Sequence, residues 1–203
     1  LTGPRRPSSW LEEDEAVMDF FDLKGIVDAL CDELNLQNVS FAPVGHPTLK
    51  PGRTATLSVE GVEAGVLGEV HPDVCEAFGL GARRVCLAEL NLEKLLASAG
   101  RPVQVAPISS YPAVYEDLAI VVDESVPAAE VQALIQRSGG PMLVDIELFD
   151  LYRGEQIGAG KKSLAYALTY QAEDRTLDAK AATRIRTRIV RSLERELGAT
   201  LRA

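Results

Sequence analysis

The residues best equipped for chemistry in this sequence are cations near its end. Arg184, Arg188, Arg191 and Arg195 recur at offsets of 4, 7 and 11, a spacing that gathers them on one side of a helix. A row of guanidinium groups suits the phosphates of a folded RNA. Lys161, Lys162, Arg153 and Arg175 lie upstream and could reach the same backbone. Strand alternation sets Phe149 on the face opposite Ile146 and Leu148, where a base can stack. Tyr166 and Tyr170 share their parity with Leu164 and Leu168 and read as core. Two roles fit the arginine ridge equally: a phosphate grip, or a solubilising surface paired with the acidic stretch before it.

No comparable case exists for catalysis. His46 and His71 each precede a proline, where turns are expected, and neither has a thiol or carboxylate cluster at ligand spacing. Asp28 and Asp32 stand one turn apart near Asp22 and Lys24, the pattern of a solvated helix face. The segment from Gly154 to Ser163 resembles a phosphate-binding loop only loosely. With Gly160-Lys161 in register, position 155 is Glu and position 162 is Lys, so the pattern fails twice and a hairpin loop is the simpler reading. Cys31, Cys75 and Cys86 are odd in number and lack CxxC spacing, as expected of reduced thiols. Neither a catalytic centre nor a metal site is expected.

These groups need a scaffold, and composition bounds it. The 203 residues, 46% hydrophobic, suffice for one or two domains with real cores. The net charge is -9, which repels nucleic acid from the chain as a whole. Its distribution is uneven. Residues 1 to 105 carry 9 basic and 16 acidic groups, residues 106 to 160 carry 2 and 9, and residues 161 to 203 carry 10 and 5. Only the last segment is electrostatically suited to phosphate. No apolar run reaches the roughly 20 residues that span a bilayer, and the start has no signal-peptide core, so a cytoplasmic protein without membrane contact is expected. A first residue of Leu suggests a fragment.

Periodicity supplies the elements. After an exposed opening with the acidic run Glu12 to Glu15, Leu23, Ile26, Val27, Leu30 and Leu34 follow one helix face. Strands are expected at 39–42, 54–59, 65–70 and 85–90, with turns at Pro51-Gly52 and Glu60-Gly61 and short helices near 74–78 and 92–97. Gly100-Arg101-Pro102 reads as a boundary between a domain at 1–105 and another at 106–203. In the second, strands at 115–122, 143–152 and 163–170 surround a helix opened by Pro127 and stopped at Gly139-Gly140. A last helix over 177–197, capped by Thr176 and ended by Gly198, leads to a short strand at 200–202. The class is α+β: an antiparallel sheet module followed by a ferredoxin-like βαββαβ domain.

Specific motifs then point to a family. Phe20-Phe21-Asp22-Leu23-Lys24-Gly25, His46-Pro47 with Pro51-Gly52-Arg53, and Leu67-Gly68-Glu69-Val70-His71-Pro72 resemble successive motifs near the carboxyl end of the bacterial phenylalanyl-tRNA synthetase β subunit. Tyr111-Pro112, Asp117-Leu118-Ala119, Phe149 to Gly154, Lys162 to Ala165 and Arg175-Thr176-Leu177 resemble the domain that closes it. The resemblance implies that residues 1–105 end a class II synthetase-like domain without a working active site, packed against the α subunit, and that 106–203 form the ferredoxin-fold anticodon-binding domain. It further implies an αββα ligase that attaches phenylalanine to tRNA(Phe) with ATP and magnesium, neither bound by this fragment. The RNA-binding set is then Arg153, Lys161, Lys162, Arg175, Arg184, Arg188, Arg191 and Phe149, directed at the anticodon stem-loop. Two departures stand out: Tyr115-Glu116 precedes Asp117 where the family commonly has basic residues, and Lys50 replaces a frequent His. Ferredoxin-like domains also serve as protein-interaction or small-ligand regulatory modules, which is the competing expectation.

Overall fold

Alternating polar and apolar side chains build two four-stranded antiparallel sheets, one in each of the units Leu1–Val105 and Ala106–Ala203 of the computed structural model. The structure describes residues 1–6, 10, 16–100, 102 and 109–202. The acidic run at 12–15, Arg101 and the junction at 105 and 106 lie outside the described residues.

In the first unit α1, Phe20–Glu33, begins two residues before the start at Asp22 that the apolar period suggests. Asp19 explains the earlier start: its carboxylate accepts from the Phe21 and Asp22 amides while Asp22 reaches back to the Asp19 amide, a capping box. Strands β1, Val39–Pro43, β2, Leu49–Val59, β3, Val62–Val70, and β4, Cys86–Leu90, pair in sequence order. Glu60 and Gly61, with φ of 53° and 79°, make the β2–β3 turn, both in the left-handed region that a tight hairpin demands. Pro51-Gly52, in contrast, ends nothing. It lies inside β2, where the register slips between Leu49 and Thr54, so that the pair bends the strand as a bulge. Helices α2, Pro72–Ala77, and α3, Leu92–Ser98, complete the unit. Leu23, Val27 and Cys31 of α1 and Leu95 of α3 join Leu57, Leu67 and Cys86 in its core.

Both histidines serve turns. His71 caps α2, its Nδ1 accepting from the Asp73 amide at 3.3 Å, and His46 Nδ1 lies 2.9 Å from the Thr48 hydroxyl. All three cysteines are buried and unbonded. Burial pushes the Cys31 and Cys86 thiols up, away from the reactive thiolate.

The second unit runs β5, Val114–Asp123; α4, Ala128–Gly139; β6, Leu143–Tyr152; β7, Lys161–Tyr170; α5, Ala179–Leu197; and β8, Thr200–Leu201. The sheet order is β6-β7-β5-β8 and every pairing is antiparallel. It is the ferredoxin-like arrangement. Leu118, Ile120 and Val122 of β5 and Leu164, Tyr166 and Leu168 of β7 face both helices, packing with Val131, Ile135, Ile189 and Leu193. Among the described residues neither α4 nor α5 covers the sheet's other face, and only the 3-10 turn Glu155–Ile157 of the β6–β7 loop lies at its end, beside Val121 and Thr200.

Helix entry corrects two expectations. Pro127 occupies the cap of α4 instead of its first turn. Thr176 does not cap α5: Asp178 does, accepting from the Ala181 amide at 2.7 Å. The carboxylate wins because Leu177 must first reach the core, at 5% exposure, before the helix turns. Asp178→Ala is therefore expected to cost about 1 kcal/mol in a urea melt, and Thr176→Ala no comparable amount. At the far end Gly198, φ 60°, supplies the left-handed cap.

Candidate nucleic-acid interface

Strand parity decides which cations can act together. Across β6, β7, β5 and β8 the residues Tyr152, Ser163, Val121 and Thr200 form one continuous row, and all belong to the open face. A slip between Leu148 and Asp150 brings Tyr152 there. Leu148 pairs with core-facing Tyr166, whereas Asp150 pairs with Ala165, and Phe149 is skipped. The bulge reverses the alternation that follows it. Phe149 is the unpaired residue of the bulge and is 53% exposed.

Tyr152 meets a partner from the end of the chain. The Arg202 guanidinium lies 4.6 Å from its ring centroid, and Arg202 also donates to the Ser163 hydroxyl at 3.4 Å. Its backbone amide is pinned on the Ala119 carbonyl at 2.9 Å. Gly154 makes room for the ring: a Cβ there would run into the Tyr152 hydroxyl and sit 2.6 Å from its Cζ. Lys161 shares the open-face parity of Ser163 and joins Arg202 in lining a shallow cleft of ≈ 430 Å³. Arg153 follows immediately on Tyr152, its guanidinium on Glu124 at 2.7–3.1 Å. That contact holds the Glu124 carboxyl below its usual range and raises Arg153, both half-exposed.

Lys162 departs from expectation. One residue out of phase with Lys161, it points to the helix side, is 8% exposed, and donates to the Glu124 carbonyl at 2.9 Å. It ties β7 to the turn after β5 and has no ammonium to offer a phosphate. Lys162→Met is expected to lower stability by about 1.5–3 kcal/mol, the worth of a charged hydrogen bond, in a chemical melt. The salt dependence of RNA binding should not change.

The remaining predicted cations sit on the opposite side of the sheet. Ile185, Ile189 and Leu193 turn α5 toward the core, which sets Arg184, Arg188, Arg191 and Arg195 along its outer flank, beside α4. Arg188 is committed there: it donates to the carbonyls of Ser138 and Gly139 at 2.5 and 2.6 Å, satisfying the end of α4. Arg195 pairs with Glu196, which also holds Arg137 and whose carboxyl is lowered by both. Arg175 pairs with its neighbour Asp174 at 2.9 Å. Among the described residues Arg184 and Arg191 make no ion pair.

The structure thus separates the predicted set into two groups. Lys161 and Arg153 gather at the sheet end with Tyr152 and Ser163, which the sequence offers as motif positions without a binding role, and with Arg202, which no sequence pattern singles out. Arg175, Arg184, Arg188 and Arg191 gather on the helix layer. The rest of the open face is acidic, with Asp117, Asp145, Glu147 and Asp150 all exposed around the small side chains of Ala119, Ala165 and Ala167. No group of three or more His, Cys, Asp or Glu among the described residues is placed to hold a metal, and no described helix is long and apolar enough to cross a membrane.

Comparison with known proteins agrees across the chain. Residues 109–202 match the family described as ferredoxin-fold anticodon binding domain, and residues 1–92 match the phenylalanyl tRNA synthetase beta chain CLM domain. The chain is 44% identical over 186 residues to the phenylalanine–tRNA ligase beta subunit of Moorella thermoacetica, covering 91% of the chain and 23% of the relative. It is 40% identical over 203 residues to that of Halalkalibacterium halodurans, covering 100% and 25%. With the Clostridium acetobutylicum subunit it shares 39% over 186 residues, 91% and 23%. It spans about a quarter of the length of these relatives.

Proposed function

The chain belongs to the phenylalanine–tRNA ligase beta subunit family, and we propose that it forms a tRNA-binding and subunit-assembly region with no reaction centre of its own. The activity it serves is the ATP- and magnesium-dependent attachment of phenylalanine to tRNA(Phe) in the cytoplasm. That chemistry belongs to the assembled ligase, and the first unit supplies packing surface for the α subunit.

The observation that carries the reading is the convergence at one sheet end of a partly exposed aromatic ring and cations, within residues that match an anticodon-binding domain. A sheet with an open face reads single-stranded RNA by stacking a loop base on such a ring and bonding its edge to nearby polar groups. Tyr152 is the platform and the exposed Asp150 stands beside it, while the buried Ser163 holds Arg202 in place. Arg202, Lys161 and Arg153 meet the adjoining phosphates. The acids elsewhere on the face confine the backbone to this end.

Titration of the chain with the tRNA(Phe) anticodon stem-loop tests the reading. Binding should weaken with salt, at a slope near -0.7 to -0.9 per phosphate contacted, and should exceed binding to a hairpin of equal length with an unrelated loop. No affinity, or equal affinity for both hairpins, would leave a protein-interaction or regulatory module as the better account.

A further inference from the structure

We propose that the outer groove of α5 is a second RNA site, which grips the phosphate backbone of a tRNA segment outside the anticodon stem-loop. The inference rests on the function proposed above and adds a second surface to it.

The two groups of cations lie on opposite sides of the second unit. The Tyr152 platform lies on the open face, whereas Arg184 and Arg191 project from the far side of the helices that cover the other face. A helix layer about 10 Å thick and the sheet itself lie between them. The groove is therefore a surface separate from the platform.

The groove has the form of a site. Two concavities, ≈ 550 and ≈ 590 Å³, adjoin along α5 and share Arg184 and Arg188. Arg175 enters the first, and Arg191 and Arg195 line the second. Among the described residues Arg184 and Arg191 make no ion pair, whereas Arg195 is held by Glu196 and Arg175 by Asp174. Arg188 is fixed by the last carbonyls of α4, so its charge is positioned before any ligand arrives. From Arg184 to Arg195 the helix advances about 16 Å, long enough to run beside several successive phosphates of one strand. An extended polyanion satisfies that row, whereas a single small anion leaves most of it empty.

Full-length tRNA(Phe) and its isolated anticodon stem-loop, titrated over a range of salt, distinguish the two surfaces. Arg184→Gln combined with Arg191→Gln alters only exposed side chains, and a thermal melt confirms that the fold is kept. The double variant should bind the stem-loop within twofold of the parent. It should bind full-length tRNA roughly tenfold to a hundredfold more weakly at 0.1 M salt, with the salt slope reduced by about 1.8. Equal weakening toward both RNAs would overturn the proposal by making the ridge part of the stem-loop site. No change toward either would overturn it by reducing the ridge to a solubilising surface. Tyr152→Ala serves as the reverse control. If it has no effect while the double variant still weakens full-length tRNA, the platform fails and the groove stands.

Discussion

Tyr152→Ala is expected to weaken binding of the anticodon stem-loop by roughly 5- to 150-fold, the loss of about 1–3 kcal/mol that stacking one base on an aromatic ring supplies. The ring is held from three sides. The bulge at Phe149 turns it to the open face, Gly154 leaves space beneath its hydroxyl, and Arg202 lies against its plane. Tyr152→Phe should keep most of the affinity, because the stacking surface survives. Since the lost contact is apolar, the salt slope should stay constant in both variants, which sets them apart from Lys161→Ala, where one phosphate contact and about 0.7–0.9 of slope should disappear. Fluorescence anisotropy at several salt concentrations separates the two classes. A Tyr152→Ala protein that binds as tightly as the parent would remove the base platform.

The second large effect is on stability at high pH. Tyr170 is fully buried at the end of β7, and its hydroxyl has no hydrogen-bond partner among the described residues, as is also true of Glu116 Oε2. Burial, reinforced by the Glu116 charge and opposed by Arg186, raises its pKa from 10.0 to about 12. A pKa raised on folding means that the neutral phenol is the form the native state accepts. The associated stability is complete below pH 10 and drains away as the pH climbs through 12. The difference corresponds to roughly 3 kcal/mol. Tyr170→Phe removes the titration together with an unpaired polar atom. It should be neutral or slightly stabilising at pH 7 and clearly more stable than the parent at pH 12. Tyr166, also raised by burial, still titrates in the variant, so alkaline loss should be diminished without vanishing. Urea melts at pH 7 and pH 11.5 give both comparisons, and an unchanged alkaline difference would contradict the assignment.

The elements were legible in the sequence wherever side-chain period and turn chemistry act locally. The strand over Leu143–Tyr152, the stop of α4 at Gly139 and the Gly198 cap follow from a few neighbouring residues each. Competition among neighbours blurred the edges. Asp178 and Thr176 both offer a cap, and only the burial of Leu177 selects the former. Pro51-Gly52 carries turn chemistry, yet the strand pairing on either side is strong enough to absorb it.

The site was less legible because it depends on single-residue parity. Lys161 and Lys162 look equivalent as a sequence pair, but adjacent strand residues point to opposite faces, and one becomes an open-face cation while the other becomes a buried tie. For Tyr152 the error compounds. Counting from Leu148 puts its side chain in the core, and only the extra residue at Phe149 reverses that count. Its contact with Arg202 joins residues 50 apart in the chain, beyond any local pattern. The ridge was visible as a period, whereas its separation from the platform required the sheet between them.

The acids on the open face and the arginines behind the helices give the second unit an electric dipole directed across its sheet. A polyanion diffusing toward it at low ionic strength exerts a torque before any contact is made. The unit turns its helix side forward, so that collisions begin in the groove of α5 and the base platform is reached only after reorientation. Salt should therefore slow the first encounter with long RNA more than it alters the final selection of a loop base, and the two steps should be resolvable in time.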